Sequence, residues 1–367
     1  MSSMHKNEID TPALLLDLQA MESNLEYMAE FFAKHEIKLR PHVKLHKATP
    51  VLAHLQSDPA YTQGLTCAKL SEAECLAQAG IRDILIANQV VGTCKIERLV
   101  SLASYSDVMV AIENAANAEA ISMAAEAAGV HVRALIEVDI GHHRSGVQPF
   151  DPTLELARRI NGLPGLRFMG LMGYDGHCTM KMPVRERQGN SKAANQLLVD
   201  TSTFLRDAGI EVEIVSGSGT FTYTYAVQVP GMTEIQAGTY LLNDTAFYGA
   251  GVTEFQPALS VLATIISRQR RPGSENLAII DLGRKAIDTY YGLPKVKHPE
   301  GATVVGLSQE HGRVTLDGEA EALDVGDKIE LWVSDANGTI NIYDEIHTLR
   351  GELVQAVWPV PARGKAT

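Results

Sequence analysis

The chain has 367 residues, of which 45% are hydrophobic and 21% charged, and a formal net charge of -12. The length allows a large barrel or two domains. The composition is that of a soluble globular protein, and the acidic balance argues against nucleic acid or an anionic membrane as the main partner. The opening MSSMHKNEID lacks the apolar core of a signal peptide and no apolar run is long enough to span a bilayer, so a cytoplasmic protein is expected.

Between residues 24 and 245, short β-branched or apolar runs alternate with longer segments rich in Ala, Leu and Glu, the texture of repeated βα units around a parallel sheet. Strands are predicted at Ile37 to Val43, Leu65 to Ala68, Ile84 to Ala87, Val108 to Ile112, Ala134 to Val138, Phe168 to Gly173, Ile214 to Ser216 and Thr233 to Ala237. That set suggests a closed (β/α)8 barrel. Helices are predicted at Ser71 to Gly80, Ala115 to Gly129 and Gln188 to Gly209, each ending at a glycine. After about residue 250 the pattern becomes alternating strands broken by RPGSEN, HPEG, LDGE and DANG, which predicts a mostly antiparallel β-domain. Cys67, Cys75, Cys94 and Cys178 form no CxxC pair, so neither a disulfide framework nor a zinc knuckle is indicated. Cys67 and Cys75 read as small core residues.

The segment IKLRPHVKLHK, residues 37–47, carries the strongest chemical signal. If it is extended, Arg40, His42, Lys44 and His46 share one face and Lys47 points to the other. An amine crowded by cations and partly removed from water is pushed toward its neutral form, the form that attacks an aldehyde to give a Schiff base. Lys44 is the candidate nucleophile. The plainer alternative is a strand end with a solvated basic patch.

In such a barrel, function collects where strands end, so the polar residues that follow each strand matter most. Asp139, His142, His143 and Arg144 follow the fifth strand in EVDIGHHRSGV, either as site residues or as a hydrated loop with a capping Asp. Tyr174 and His177 follow the sixth in MGYDGHC, and a histidine there is either a base or merely solvated. SGSGT, residues 216–220, follows the seventh. Its glycines allow backbone N–H groups to approach a phosphate and Ser218 and Thr220 add hydroxyls, although such turns are common without any ligand.

TPALLLDL (Thr11 to Leu18) followed by RPHVKLHK resembles the start of the D-threonine aldolase and D-serine dehydratase family, pyridoxal-phosphate enzymes of the alanine racemase fold type. DLGRKAID (Asp281 to Asp288) and LSQEHG (Leu307 to Gly312) extend the likeness over nearly the whole chain. The resemblance implies a barrel over residues 24–245 and a β-domain over 246–367 that an N-terminal segment, 1–23, helps to build. It also implies that Lys44 carries pyridoxal 5'-phosphate, with His42 and Arg144 beside the cofactor and Tyr174 facing its ring nitrogen. Ser216, Gly217, Ser218, Gly219, Thr220, Gln236, Gly238 and Tyr240 would surround the phosphate. His177 becomes a candidate base for a substrate hydroxyl. An active site that needs both domains, as in this family, implies a homodimer.

One departure stands out. Where the family reads close to PxHCxPTVNLYD and holds a divalent metal, this chain reads VSDANGTINIYD, residues 333–344, with Asp335 and Asn337 at the two ligand positions. A carboxylate and an amide oxygen suit a hard cation such as Mg²⁺ or Mn²⁺; alternatively, DANG is an Asx-type turn in a hairpin and no metal takes part. The expected activity is retro-aldol cleavage of a 3-hydroxy-D-amino acid to glycine and an aldehyde. The alternatives are a dehydratase acting on D-serine or 3-hydroxyaspartate, a metal-independent racemase and, from another class, a non-catalytic pyridoxal-phosphate carrier.

Overall fold

A computed structural model describes residues 4–367. The chain separates into two compact units, one containing Met28–Lys44, Pro50–Thr239 and Lys365–Thr367, the other residues up to Tyr27 with Leu45–Thr49 and Tyr240–Gly364. The first strand, β1 (Ala13–Asp17), belongs to the second of these.

The next eight strands are β2 (Lys38–Leu39), β3 (Leu65–Cys67), β4 (Asp83–Gln89), β5 (Asp107–Ile112), β6 (Val132–Glu137), β7 (Leu166–Gly173), β8 (Ile214–Gly217) and β9 (Glu234–Ile235). They make one parallel sheet in the order β2-β9-β8-β7-β6-β5-β4-β3. Its two edges meet through isolated parallel bridges, Leu39 to Thr62 and His42 to Thr66. Thr66 N donates to Pro41 O and Val43 N to Thr66 O, each at 2.8 Å. The sheet thus closes into the predicted barrel.

Seven of the predicted strands lie where the β-branched runs put them, with ends shifted by a few residues. The first is shorter than predicted. Its assigned span ends at Leu39, although Arg40 N and His42 N still donate to Ile235 O and Ala237 O, and from Val43 the backbone turns. The alternation that would set Arg40, His42, Lys44 and His46 on one face therefore does not exist. The barrel interior is filled by Leu85, Met109, Ala111, Leu135, Met169, Met172 and Ile214, a packed core rather than a pore. Helices Leu70–Gln78, Ala115–Ala127 and Val184–Asp207 flank it, and Gly80, Gly129 and Gly209 follow them in the left-handed conformation that ends a helix cheaply. Cys67 and Cys75 are buried, as expected of small core residues.

The second unit is a nine-stranded sheet of β1 with β10 (Leu259–Ser267), β11 (Leu277–Ile280), β12 (Val296–His298), β13 (Ala302–Leu307), β14 (Gly312–Leu316), β15 (Lys328–Trp332), β16 (Glu345–Arg350) and β17 (Leu353–Pro359). Only β1 with β16 pairs in parallel; every other pairing is antiparallel. Strand β1 runs between β10 and β16, which explains why ALLL is wholly buried. Buried Glu330 on β15 collects Lys6 Nζ at 2.6 Å, Ser260 Oγ at 2.6 Å and Lys297 Nζ at 2.9 Å. Burial works against its charge, but the lysines and the hydroxyl outweigh it and bring the carboxyl pKa down to about 2.

Candidate active site

The basic run of residues 37–47 splits between two environments. Arg40 is fully buried, and its Nε and one terminal nitrogen grip Glu234 at 2.9 and 2.7 Å while the other terminal nitrogen reaches Asp83 at 2.9 Å. Asp83 and Glu234 are the first residues of β4 and β9, so this ion cluster lies at the N-terminal end of the barrel strands. The charge of Arg40 is spent on these two carboxylates, and it is not the cation that acts on Lys44.

Lys44 follows β2, at the opposite end. Its side chain is exposed to water, yet protein packs closely enough around it to disfavour the charged form. Desolvation first and the Arg144 guanidinium second lower its ammonium pKa, with the Glu72 carboxylate opposing them. The cationic neighbour anticipated from the run itself is instead supplied by the loop after β6. Glu72 was not singled out from the sequence. It is buried in the first turn of Leu70–Gln78, where its Oε2 accepts from Ala68 N at 2.8 Å and Lys69 N at 3.1 Å, so its position is fixed by the helix start. His42 Nδ1 accepts from Lys44 N at 3.3 Å, which holds the turn that presents Lys44.

Asp139 organises the loop after β6 by accepting from Gly141 N and His143 N, both at 3.0 Å, and from His143 Nδ1 at 2.8 Å. No helix starts here, so Asp139 braces a loop rather than capping a helix, and His142 and Arg144 lie against the Tyr174 ring. The Arg144 guanidinium lies 5.4 Å from the centre of the Tyr174 ring and 3.7 Å from Glu137 Oε1. His142 meets Tyr174 edge to face at 5.5 Å and stacks at 6.4 Å on His177. Burial, Arg144 and His177 depress the pKa of His142 in that order, against Asp139 and Asp175. His177 Nδ1 is buried without a hydrogen-bond partner. The structure thus brings Arg144, Tyr174 and His177 together and adds His142 between the two latter side chains.

The loop after β8 is tightly packed. A Cβ at Gly217 would fall 2.5 Å from Gly173 O, and one at Gly238 only 2.0 Å from His42 O, so both positions are restricted to glycine by close backbone approach. Gly219 lies next to the Tyr174 ring. Ser216 Oγ accepts from Gln236 Nε2 at 3.0 Å, tying the loop to the strand end after β9. Ser218 Oγ and Thr222 Oγ1 are 2.8 Å apart, and Thr220 is buried beside them. Tyr240 is assigned to the other unit, its fully buried ring 5.8 Å from that of Phe255.

Asp335 and Asn337 also lie in that other unit. DANG does not form the hairpin turn expected of it: Asp335 is the N-cap of a short helix, Ala336–Ile340, and its Oδ1 accepts from Asn337 N at 3.0 Å and Gly338 N at 3.3 Å. An Asp that satisfies its own backbone two and three residues on serves a turn and a helix start equally well, which is why the tetrapeptide reads either way. Among the described residues, no group of three or more His, Cys, Asp and Glu side chains is arranged to hold a metal ion.

Two family models match the chain: alanine racemase, N-terminal domain, over residues 16–245, and putative serine dehydratase domain over residues 258–349. A D-threonine aldolase of Arthrobacter sp is 35% identical over 97% of this chain and 93% of its own length. A 3-hydroxy-D-aspartate aldolase of Paracoccus denitrificans is 32% identical over 99% of this chain and 94% of its own. The crystal structure of D-threonine aldolase from Filomicrobium marinum matches with a TM-score of 0.92 and 34% identity, covering 100% of this chain and 99% of that one.

Proposed function

The chain belongs to the family that joins an alanine racemase N-terminal domain to a serine dehydratase domain, and on that premise we propose a pyridoxal-phosphate-dependent aldolase that cleaves a 3-hydroxy-D-amino acid to glycine and an aldehyde. The observation that carries this reading is the lowered proton affinity of Lys44 at the C-terminal end of the barrel strands, the end that also bears Arg144, Tyr174, His177 and the glycine loop.

The residues fit the cofactor. The glycine loop after β8 would present backbone N–H groups to a phosphate, and an amine of lowered proton affinity suits condensation with an aldehyde. When bound, pyridoxal phosphate supplies that aldehyde and a ring able to accept the electron pair released as the Cα–Cβ bond breaks. Lys44 and His42 would hold the reactive end, Tyr174 the ring edge, and Ser216, Gly217, Ser218, Gly219, Thr220, Gln236 and Gly238 the phosphate.

The chain's own groups then divide the work. Burial first and the charge of Arg144 second shift Lys44 Nζ toward its neutral form, the form that condenses with an aldehyde. Arg144, 5.4 Å from the centre of the Tyr174 ring, packs against that ring and steadies its orientation. His177 takes the proton of the substrate's β-hydroxyl. Its buried Nδ1 leaves Nε2 as the nitrogen that exchanges protons, and the stacked His142 resists protonation and so does not repel the imidazolium that results.

A divalent cation does not fit the two positions proposed for it. The Asp335 carboxylate caps its own helix, and among the described residues no group of three or more His, Cys, Asp and Glu side chains is arranged to hold an ion there. No step is assigned to a metal. The test is incubation of the purified protein with D-threonine, with and without EDTA. Glycine and acetaldehyde in equal amounts, with less than about a twofold effect of chelator, support the reading; a 2-oxo acid or the L-isomer as product contradicts it.

A further inference from the structure

Behind the glycine loop runs a chain of buried polar groups that the proposed reaction does not use. Asp175, the residue after Tyr174, is fully buried, and its hydrogen-bond partners are all neutral. Its Oδ2 accepts from Ser191 Oγ at 2.7 Å and Asn195 Nδ2 at 3.2 Å. Its Oδ1 lies 3.1 Å from Thr222 Oγ1, which in turn lies 2.8 Å from Ser218 Oγ. Ser218 is held in the left-handed region at φ 63, a conformation that persists only where neighbours enforce it.

The direction of this relay is set by one proton. The Asn195 amide cannot turn round, because its Nδ2 also donates to Ser191 O at 2.8 Å, so Oδ2 of Asp175 always faces donors. A proton on Oδ1 leaves the bonds from Ser191 and Asn195 to Oδ2 in place, whereas one on Oδ2 would have to reverse the Ser191 bond and oppose the Asn195 donor. With Asp175 ionised, Thr222 donates to Oδ1, Ser218 donates to Thr222, and the Ser218 hydrogen is consumed inside the protein. With Oδ1 protonated, Asp175 donates to Thr222, Thr222 donates to Ser218, and the Ser218 hydrogen is released toward the glycine loop.

We propose that Asp175 is a positioning residue that carries a proton when the glycine loop holds the cofactor phosphate, and that this proton turns the Thr222 and Ser218 hydroxyls to face the phosphate. The inference rests on the reading of residues 216–220 as the phosphate site. The proton comes from solvent, so phosphate binding takes up one proton. Burial already raises the pKa of the carboxyl, against the bonds from Ser191, Thr222 and Asn195. Nearby groups give it no compensating positive charge. The Cys178 thiol is pushed up to about 12 by burial and by Asp175, and His142 is held toward its neutral form by burial and by Arg144. Arg187, on the helix that bears Ser191, is turned onto the Phe221 ring at 4.9 Å and donates to Met182 O.

An asparagine reproduces the protonated arrangement at every pH, since its oxygen accepts from Ser191 and Asn195 while its NH₂ donates to Thr222. The experiment compares apoenzyme affinities for pyridoxal phosphate and for pyridoxal, which lacks the phosphate, across pH in the wild type, Asp175→Asn and Thr222→Val. The wild-type Kd for pyridoxal phosphate, divided by that of Asp175→Asn, should rise with pH by up to about tenfold per unit as Asp175 loses its proton, with no such trend for pyridoxal. Thr222→Val, which cuts the relay and leaves Asp175 in place, should weaken pyridoxal phosphate binding and remove the wild-type pH trend. An infrared band of a protonated carboxyl in the holoenzyme, absent from Asp175→Asn, is the matching spectroscopic signature. Parallel pH profiles in wild type and Asp175→Asn, or in wild type and Thr222→Val should the first variant not fold, overturn the proposal. Failure of the wild type to bind pyridoxal phosphate at any pH overturns the functional reading instead.

Discussion

Arg40 and Lys44 come from one short basic run, yet the two ends of the barrel treat them in opposite ways. At the N-terminal end of the strands, Arg40 is buried with two carboxylates gripping its guanidinium, an arrangement in which charge is matched and nothing is left to react. At the C-terminal end, Lys44 has a cation for a neighbour and loses proton affinity. One end is neutralised for stability and the other is left electrostatically unfavourable for an ammonium. A barrel can carry a strained functional rim because the opposite rim is over-satisfied.

Four substitutions would break or sharpen that contrast. Lys44→Ala should lower kcat by roughly a thousandfold or more while leaving the thermal transition nearly unchanged, checked by steady-state kinetics alongside calorimetry. Arg40→Met should do the reverse. It strands Glu234, while Asp83 keeps its ion pair with Arg133, and should cost about 3–5 kcal/mol in denaturant unfolding, with cofactor absorbance intact in the molecules that remain folded. Gly238→Ala forces a methyl against the His42 carbonyl in the turn that leads to Lys44, and should weaken cofactor binding by about tenfold or more in a fluorescence titration. Arg144→Gln removes a charge that depresses the pKa of Lys44, so that pKa rises. The fraction of neutral amine at a given pH falls, and the rate at which apoenzyme takes up pyridoxal phosphate should shift its rising limb to higher pH in stopped-flow absorbance.

What the sequence could and could not disclose follows from the range of the interactions. The barrel strands were legible because each is a local run of β-branched residues, and the loop after β8 because its glycines are adjacent in sequence. Lys44 was found through its motif, but the reason given for its reactivity placed the cation on the wrong segment. Alternation through residue 46 needs an extended backbone, whereas the chain turns from Val43 and the cation beside Lys44, Arg144, comes from another loop. DANG read equally well as a hairpin turn or a metal site, and the structure makes it a helix start, since an Asp caps all such backbone turns with the same bonds. Asp175 carried no signal at all. Its partners Ser191, Asn195 and Thr222 lie on other elements, and only folding brings these three small polar side chains around one carboxyl.

The most direct test of the central claim is to reduce the holoenzyme with borohydride, digest it and map the pyridoxyl label by mass spectrometry. The account predicts the label on the peptide carrying Lys44 and its loss in Lys44→Ala. A label on Lys47 or any other lysine, or no label on a protein that binds the cofactor, would contradict it.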